Sequence, residues 1–303
     1  MSHSVLDVHA TRRGLGLIAL AATLWGTVGV ATQGIYRLST VTPLSVGFFR
    51  LVIAAPVLLV ACLFLLGRRS WQIEMRDAGL MAMIGAMLAL YQVCFFTAIV
   101  YTGVTIATLV TLCTAPIMAA VLAVIFTRER LNRTIVISLA IALLGTILLV
   151  GIPEHGAAGG RLIIGVLFAL GSAFGYAAMT ICSRLIAGNI HPLQTNAIAF
   201  GTGALVLLVL TIPSGGPILS YPTESWLLLV YLGLVPTAFA YGLFFLGMRV
   251  TSATVATIVT LVEPLTATLL AWLIFKEQLG PLGFVGAGLL LAALLLLARQ
   301  GGR

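Results

Sequence analysis

Charge is scarce in this chain, and acidic charge is the scarcer kind. Only 8% of its 303 residues are charged, with eight Asp and Glu against sixteen Lys and Arg. With 61% hydrophobic residues and a mean hydropathy of +1.17, it has too few polar side chains to cover a soluble domain. The four cysteines (Cys62, Cys94, Cys113 and Cys182) all fall in apolar runs at unrelated spacings, which argues against a disulfide framework or a zinc cluster. The four histidines (His3, His9, His155 and His191) are scattered through the tail and loops; they read as solvated, and no metal site is expected. The sequence has neither a GxxxxGKS/T phosphate loop nor room for a nucleotide-binding domain, and it contains no HExxH and no embedded pair of acids. An ATP-driven pump and an intramembrane hydrolase are therefore disfavoured. The chain reads as a non-enzyme without a cofactor.

What the chain does have is long apolar runs. Ten can be placed, each long enough for a helix to cross ~30 Å of hydrocarbon: 15–36, 44–66, 78–100, 104–126, 134–151, 162–186, 194–212, 225–247, 252–275 and 281–298. The first is too long for a signal-peptide core and is expected to be retained. The fold class expected is an all-α integral membrane protein of ten transmembrane helices. Residues 1–14 form a tail, and the longest connections are 67–77, 152–161 and 213–224.

The +8 net charge is distributed in a way that argues against nucleic acid as a partner. Alternate connections carry Arg12, Arg13, Arg68, Arg69, Arg76, Arg128, Arg130, Arg133, Arg184, Arg249, Arg299 and Arg303 on one side. Arg37, Arg161 and Lys276 lie on the other, and Arg50 falls inside a run. Such a bias is the positive-inside pattern, so both termini are expected in the cytoplasm. Trp71, Trp226, Tyr36, Tyr101 and Tyr221 lie near the run ends, where aromatic belts form.

The two halves repeat one another. Ala107 to Pro116 reads ATLVTLCTAP and Ala256 to Pro264 reads ATIVTLVEP, and Glu129 and Glu277 each follow their proline by thirteen residues. Gly16, Trp25 and Gly26 correspond to Gly165, Phe174 and Gly175 at an offset of 149, and Pro43-Leu44 and Phe95-Phe96 obey the same offset. Five runs per unit is an odd number, so the second unit enters the membrane from the opposite side. The expected repeats are 15–151 and 162–298. Inverted repeats of this kind are typical of secondary transporters.

The Trp25-Gly26 pair, Arg50 in the second run, the two proline–thirteen–glutamate modules and the glycine-rich GFVGAGLLLA stretch from Gly283 resemble the EamA-type units of the drug/metabolite transporter superfamily. The resemblance covers about residues 14 to 298. It is nearest to bacterial inner-membrane exporters of amino acids, aromatic ones included. It implies a multi-pass inner-membrane carrier that exports amino acids or related small metabolites, with lipids around it. Proton-coupled efflux of organic cations is the rival. Two departures stand out: the first unit lacks the terminal glycine cluster, and Thr114 stands where the second unit has Glu263. No oligomeric state follows from the sequence.

Of the eight acids only Glu263 lies deep in a run, where an ionised carboxylate costs several kcal/mol unless paired or hydrated. Pro264 and its counterpart Pro116 leave the carbonyls of Thr260 and Leu112 without their usual donor, so both prolines are candidates for a helix break or gate. Pro56 and Pro236 also interrupt runs. Trp25, Tyr91, Gln92, Tyr176 and Tyr241 are deep and carry polar tips that are costly against lipid. Together with Thr111, Thr260 and Glu263 they are candidates for one substrate cavity. Glu263 reads either as a kink-stabilising group or as part of the substrate path. Arg50 either snorkels and bonds helix carbonyls or contacts a substrate carboxylate. The topology is open to a direct check. Reporter fusions after Gly215 should read external and those after Arg128 cytoplasmic, and the reverse pattern would invert the assignment.

Overall fold

The computed structural model describes residues 2–39, 42–67, 73–102, 104–150, 160–187, 190–275 and 280–300. Arg68, Arg69, Trp71, Glu154, His155, Lys276, Glu277 and Arg303, which entered the charge count, the repeat or the loop reading, lie outside the described residues. Regular structure among the described residues is entirely helical. The first half contains α1 (Ser2–Gly26), α2 (Val28–Leu38), α3 (Pro43–Leu66), α4 (Met75–Thr102), α5 (Val104–Leu122) and α6 (Arg133–Val150). The second contains α7 (Gly160–Ile186), α8 (Pro192–Thr211), α9 (Thr223–Gly233), α10 (Ala240–Met248), α11 (Ala253–Val259), α12 (Val262–Phe275) and α13 (Pro281–Gln300).

Among the described residues, seven apolar helical stretches are long enough to cross a membrane: Arg12–Leu38, Leu44–Leu66, Met75–Thr102, Val110–Thr127, Gly160–Ile186, Pro192–Thr211 and Thr223–Met248. Arg133–Leu149, Ala253–Ala267 and Pro281–Leu297 are apolar but shorter. Helix α1 begins at Ser2, well before the apolar run, because nothing in the 1–14 tail breaks a helix. The bundle is apolar outside as well as inside. Phe64 is 86% exposed and Val100 68%, a surface that suits hydrocarbon and would be a liability in water. The fully buried core includes Ile18, Leu51, Met81, Met179, Phe200 and Phe244.

Packing joins the first half to the second. Helix α4 lies along α7 and α8, α3 along α8 and α9, α5 along α7 and α11, α1 along α10 and α12, and α6 along α13. In lipid no hydrophobic drive pulls one helix onto another, so small residues that let backbones approach carry much of the association. Gly145 of α6 and Gly286 of α13 meet in this way: a Cβ on Gly145 would stand 2.9 Å from the Gly286 carbonyl oxygen. Gly85 of α4 is seated against the Ala199 carbonyl and Thr202 of α8, with Gly203 opposite.

Helix ends facing the connections are capped by side chains. Arg184 Nη1 donates to the carbonyls of Met248 (2.7 Å) and Arg249 (3.1 Å), closing the end of α10. His191 is no idle loop residue: its Nδ1 accepts from the Leu193 N–H (3.3 Å), and its own N–H donates to Gln194 Oε1 (3.1 Å). Desolvation, with Arg249 nearby, holds the His191 pKa below its ordinary value, which keeps the acceptor form of the ring. Pro56 leaves α3 continuous, contrary to the expected interruption, because one missing hydrogen bond does not unwind a helix held by its neighbours.

The α4–α8 crossing is the sharpest test of this packing. Alanine is normally the better helix former, yet Gly85→Ala should destabilise by about 1–3 kcal/mol because the added methyl collides with α8 backbone. Gly201→Ala, where the added Cβ meets open space, should melt at or above the wild-type temperature in detergent. Equal melting temperatures for the two variants would contradict the crossing.

Candidate functional site

The ninth apolar run is not one helix. Helix α11 stops at Val259, residues 260–261 form a turn, and α12 starts at Val262. The cause is chemical. Pro264 has no N–H to give to the Thr260 carbonyl, and the Glu263 N–H takes that carbonyl instead, at 2.9 Å. Pro264 thus falls in the first turn of α12, where a proline costs nothing. Glu263 lies in the same turn, where unpaired N–H groups favour an acceptor. The expected break at Pro264 is present.

Pro116 is different. Helix α5 runs through it from Val104 to Leu122, so Pro116 is not a helix break. It lies well inside an established helix between α7 and α11 rather than at a helix start, so the loss of one backbone donor is absorbed. The Thr114 hydroxyl bonds back to the Val110 carbonyl in the preceding turn.

A second interruption was not read from the sequence. Helix α1 ends at Gly26 and α2 begins at Val28. Thr27 marks the join: its Oγ1 donates to the Leu24 carbonyl (2.7 Å) and accepts from the Tyr231 hydroxyl (2.8 Å). The two interruptions touch. A Cβ on Gly26 would stand 2.9 Å from the Glu263 carbonyl oxygen, so only glycine permits this approach.

Beside the α11–α12 break lies a narrow chamber with a cavity volume of about 20 Å³, closed down to little more than the room a water molecule needs. It is lined by Tyr91, Thr111, Pro116, Tyr176, Thr257, Thr260, Glu263 and adjoining apolar residues. Tyr91 and Tyr176 form a tilted ring pair with centroids 5.8 Å apart, and Gly175 lets α7 approach α4 closely enough for this. The Tyr176 hydroxyl donates to Thr260 Oγ1 (3.2 Å), and Thr260 in turn donates to the Thr257 carbonyl (2.8 Å). Thr111 spends its hydroxyl on the Ala169 carbonyl of α7 (3.3 Å), so it ties helices together as well as lining the wall.

The expected single cavity is therefore divided. Tyr91, Tyr176, Thr111, Thr260, Glu263 and Pro116 share the chamber wall; Trp25, Tyr241 and Gln92 do not line it. Trp25 packs on Tyr241 (4.8 Å) and Phe244 (5.3 Å), and Tyr241 also meets Phe200 edge-on at 5.2 Å. These large rings gain more from each other than from a polar space. The Trp25 Nε1 is nevertheless buried without a hydrogen-bond partner. Gln92 is 4% exposed against Gly47 of α3, and its buried Oε1 likewise has none.

Arg50 resolves toward the interior. Its Nε donates to Thr237 Oγ1 at 3.2 Å. Thr237 sits in a π-helical turn, Leu234–Phe239, created where Pro236 cannot bond the Leu232 carbonyl, and its hydroxyl takes that carbonyl at 2.6 Å. The charge of Arg50 reaches Glu263, Tyr91 and Tyr241 electrostatically, without a direct Arg50–Glu263 ion pair. Thr237 was missed in the sequence. The signal was a hydroxyl directly after a mid-run proline, five residues beyond the carbonyl that the proline orphans.

An apolar-surfaced helical bundle, interrupted twice beside a chamber of tyrosines, threonines and one carboxylate, has the build of a multi-pass membrane transporter. The comparisons make this specific: the chain belongs to the EamA-like transporter family, whose sequence pattern matches residues 12–151 and again 163–299. It is 30% identical over 288 residues to the uncharacterized transporter YwfM of Bacillus subtilis, covering 93% of this chain and 92% of that protein. It is 26% identical over 302 residues to the riboflavin transporter ImpX of Fusobacterium nucleatum, covering 95% and 98%. A crystal structure superposes with a TM-score of 0.76 at 21% identity over 99% of each chain, a likeness of fold alone.

The division of the wall is testable with cysteine replacements made after the native Cys62, Cys94, Cys113 and Cys182 are removed. Tyr91→Cys, Tyr176→Cys and Glu263→Cys should react with a small polar thiol reagent much faster than Trp25→Cys or Gln92→Cys. Uniform inertness of the first three in folded protein would reassign the chamber to packing.

Proposed function

We propose that this EamA-family transporter is a secondary carrier of the bacterial inner membrane that exports amino acids or related small metabolites with broad specificity. It works by alternating access and is facilitative, with no obligatory proton coupling. In this reading the chain spans the membrane ten times as two inverted five-helix repeats, 15–151 and 162–298, with both termini cytoplasmic. The observation that carries the proposal is the α11–α12 break opening on a narrow, ring-walled chamber that Glu263 and three threonines also line. Discontinuous helices of this kind present free backbone groups to a substrate. The reciprocal packing of α1 on α10 and of α7 on α4 supports the repeat, since these pairs exchange roles at the offset that relates the two halves.

One observation favours a second reading, the proton-coupled efflux of organic cations. Glu263 is a mid-run acid on the same wall as two tyrosine rings, a combination that suits a cation. Thr114 in the matching place of the first unit weighs against it, because the architecture itself does not require a carboxylate there.

Counterflow of labelled amino acids into proteoliposomes, with and without a pH gradient, separates the two. A facilitative carrier should exchange equally in both conditions, and Glu263→Gln should retain most of the rate across a pH series with unchanged thermal stability. Folded Glu263→Gln protein that has lost gradient-driven transport would establish the proton-coupled alternative instead.

A further inference from the structure

We infer that Arg50, held in position by Thr237, is the carboxylate-binding group of the transport site, so that the substrate class is defined by an acid function rather than by a cationic one. This inference rests on the carrier reading above and narrows it.

The guanidinium of Arg50 is held from inside the bundle. An arginine that snorkels to an interface points away from the bundle, whereas Arg50 turns inward and gives its Nε–H to Thr237 on a neighbouring element. Thr237 is itself fixed, because its only hydroxyl proton is committed to the Leu232 carbonyl that Pro236 leaves open. The Thr237 oxygen can then only accept from Arg50, which sets the plane of the guanidinium through Nε. A guanidinium carries five N–H donors in a planar fork, and bonding one through Nε leaves the terminal pair to meet a carboxylate's two oxygens side by side.

The surroundings favour an anion at that fork. Arg50 is partly buried and forms no ion pair with Glu263, the deep acid within its electrostatic reach. A cation taken out of water without a counter-ion is costly, and an arriving carboxylate removes that cost. The groups around it suit the remainder of such a ligand. The Arg50 charge reaches Tyr91 on the chamber wall, where the Tyr91 and Tyr176 rings pair to give an extended aromatic surface. Tyr241 follows Thr237 by four residues, one helical turn further on. Thr237 is a positioning residue, acting through Arg50.

The test is a set of ligand pairs that differ only in the carboxylate, bound to purified full-length protein and followed by thermal shift and equilibrium binding. Suitable pairs are phenylalanine and phenethylamine, leucine and isoamylamine, and lysine and cadaverine. Wild type should bind at least one amino acid in preference to its amine. Arg50→Gln should weaken that amino acid by about tenfold or more while leaving the amine within about twofold, as expected for loss of a charge-assisted hydrogen-bond pair. Thr237→Val, which keeps shape but loses the hydroxyl, should show a smaller loss in the same direction, and Thr237→Ser should restore binding. A purely structural Arg50 would shift both members of a pair together, or lower only the melting temperature. Either result overturns the inference, as does wild-type protein with no preference for the carboxylate in any pair. Carboxylate-dependent binding without counterflow would remove the carrier reading and leave the Arg50 assignment standing. Counterflow that ignores Arg50→Gln would do the reverse.

Discussion

In hydrocarbon, a backbone carbonyl or N–H without a partner has no water to turn to, and the organisation of this protein depends on how each such group is answered. Three mid-span irregularities illustrate it. The carbonyl orphaned by Pro264 is taken by the Glu263 N–H, the one orphaned by Pro236 by the Thr237 hydroxyl, and the Leu24 carbonyl at the α1–α2 join by Thr27. Each repair recruits a further group. Thr237 accepts from Arg50, Thr27 accepts from Tyr231, and the Thr260 hydroxyl beside the Pro264 break accepts from Tyr176. The polar apparatus of the chamber therefore grows out of the local mending of broken helices.

This origin explains why the site is asymmetric although the sequence halves match so well. Helix α5 passes unbroken through Pro116, whereas the corresponding run in the second half divides into α11 and α12. A carboxylate in the first turn of α12 sits at the positive end of a helix; the same group in the middle of α5 would not. Thr114, whose hydroxyl is satisfied by the Val110 carbonyl in its own helix, suits an unbroken segment.

Much of this was legible in the sequence. The apolar runs, the duplication and the cost of Glu263 follow from composition and spacing, and the break at Pro264 follows from the chemistry of proline. The chamber wall was read in part: Tyr91, Tyr176, Thr111, Thr260 and Glu263 do line it. Trp25 and Tyr241 lie outside its wall, because depth and a polar tip say nothing about which face of a helix a ring occupies, and here the two rings pack on each other. The break at Thr27 could not be read at all. It contains no proline and depends on a tyrosine 204 residues away. Arg50 has two readings in the sequence because its direction depends on Thr237, whose place after Pro236 marks a helix repair but whose pairing with a residue 187 positions away is a matter of packing.

The meeting of Gly26 with the Glu263 carbonyl behaves mechanically as a fulcrum. Gly26 brings no side chain of its own to the contact and rests directly on the Glu263 carbonyl and the Thr266 side chain, so a tilt of α12 against α1 would pivot there. A fulcrum magnifies. Helix α12, with 14 residues, is about 21 Å long, so a tilt of roughly ten degrees carries its far end nearly 4 Å, more than the width of a water molecule. A side chain at residue 26 would loosen this leverage even where it left every chamber-lining group in place.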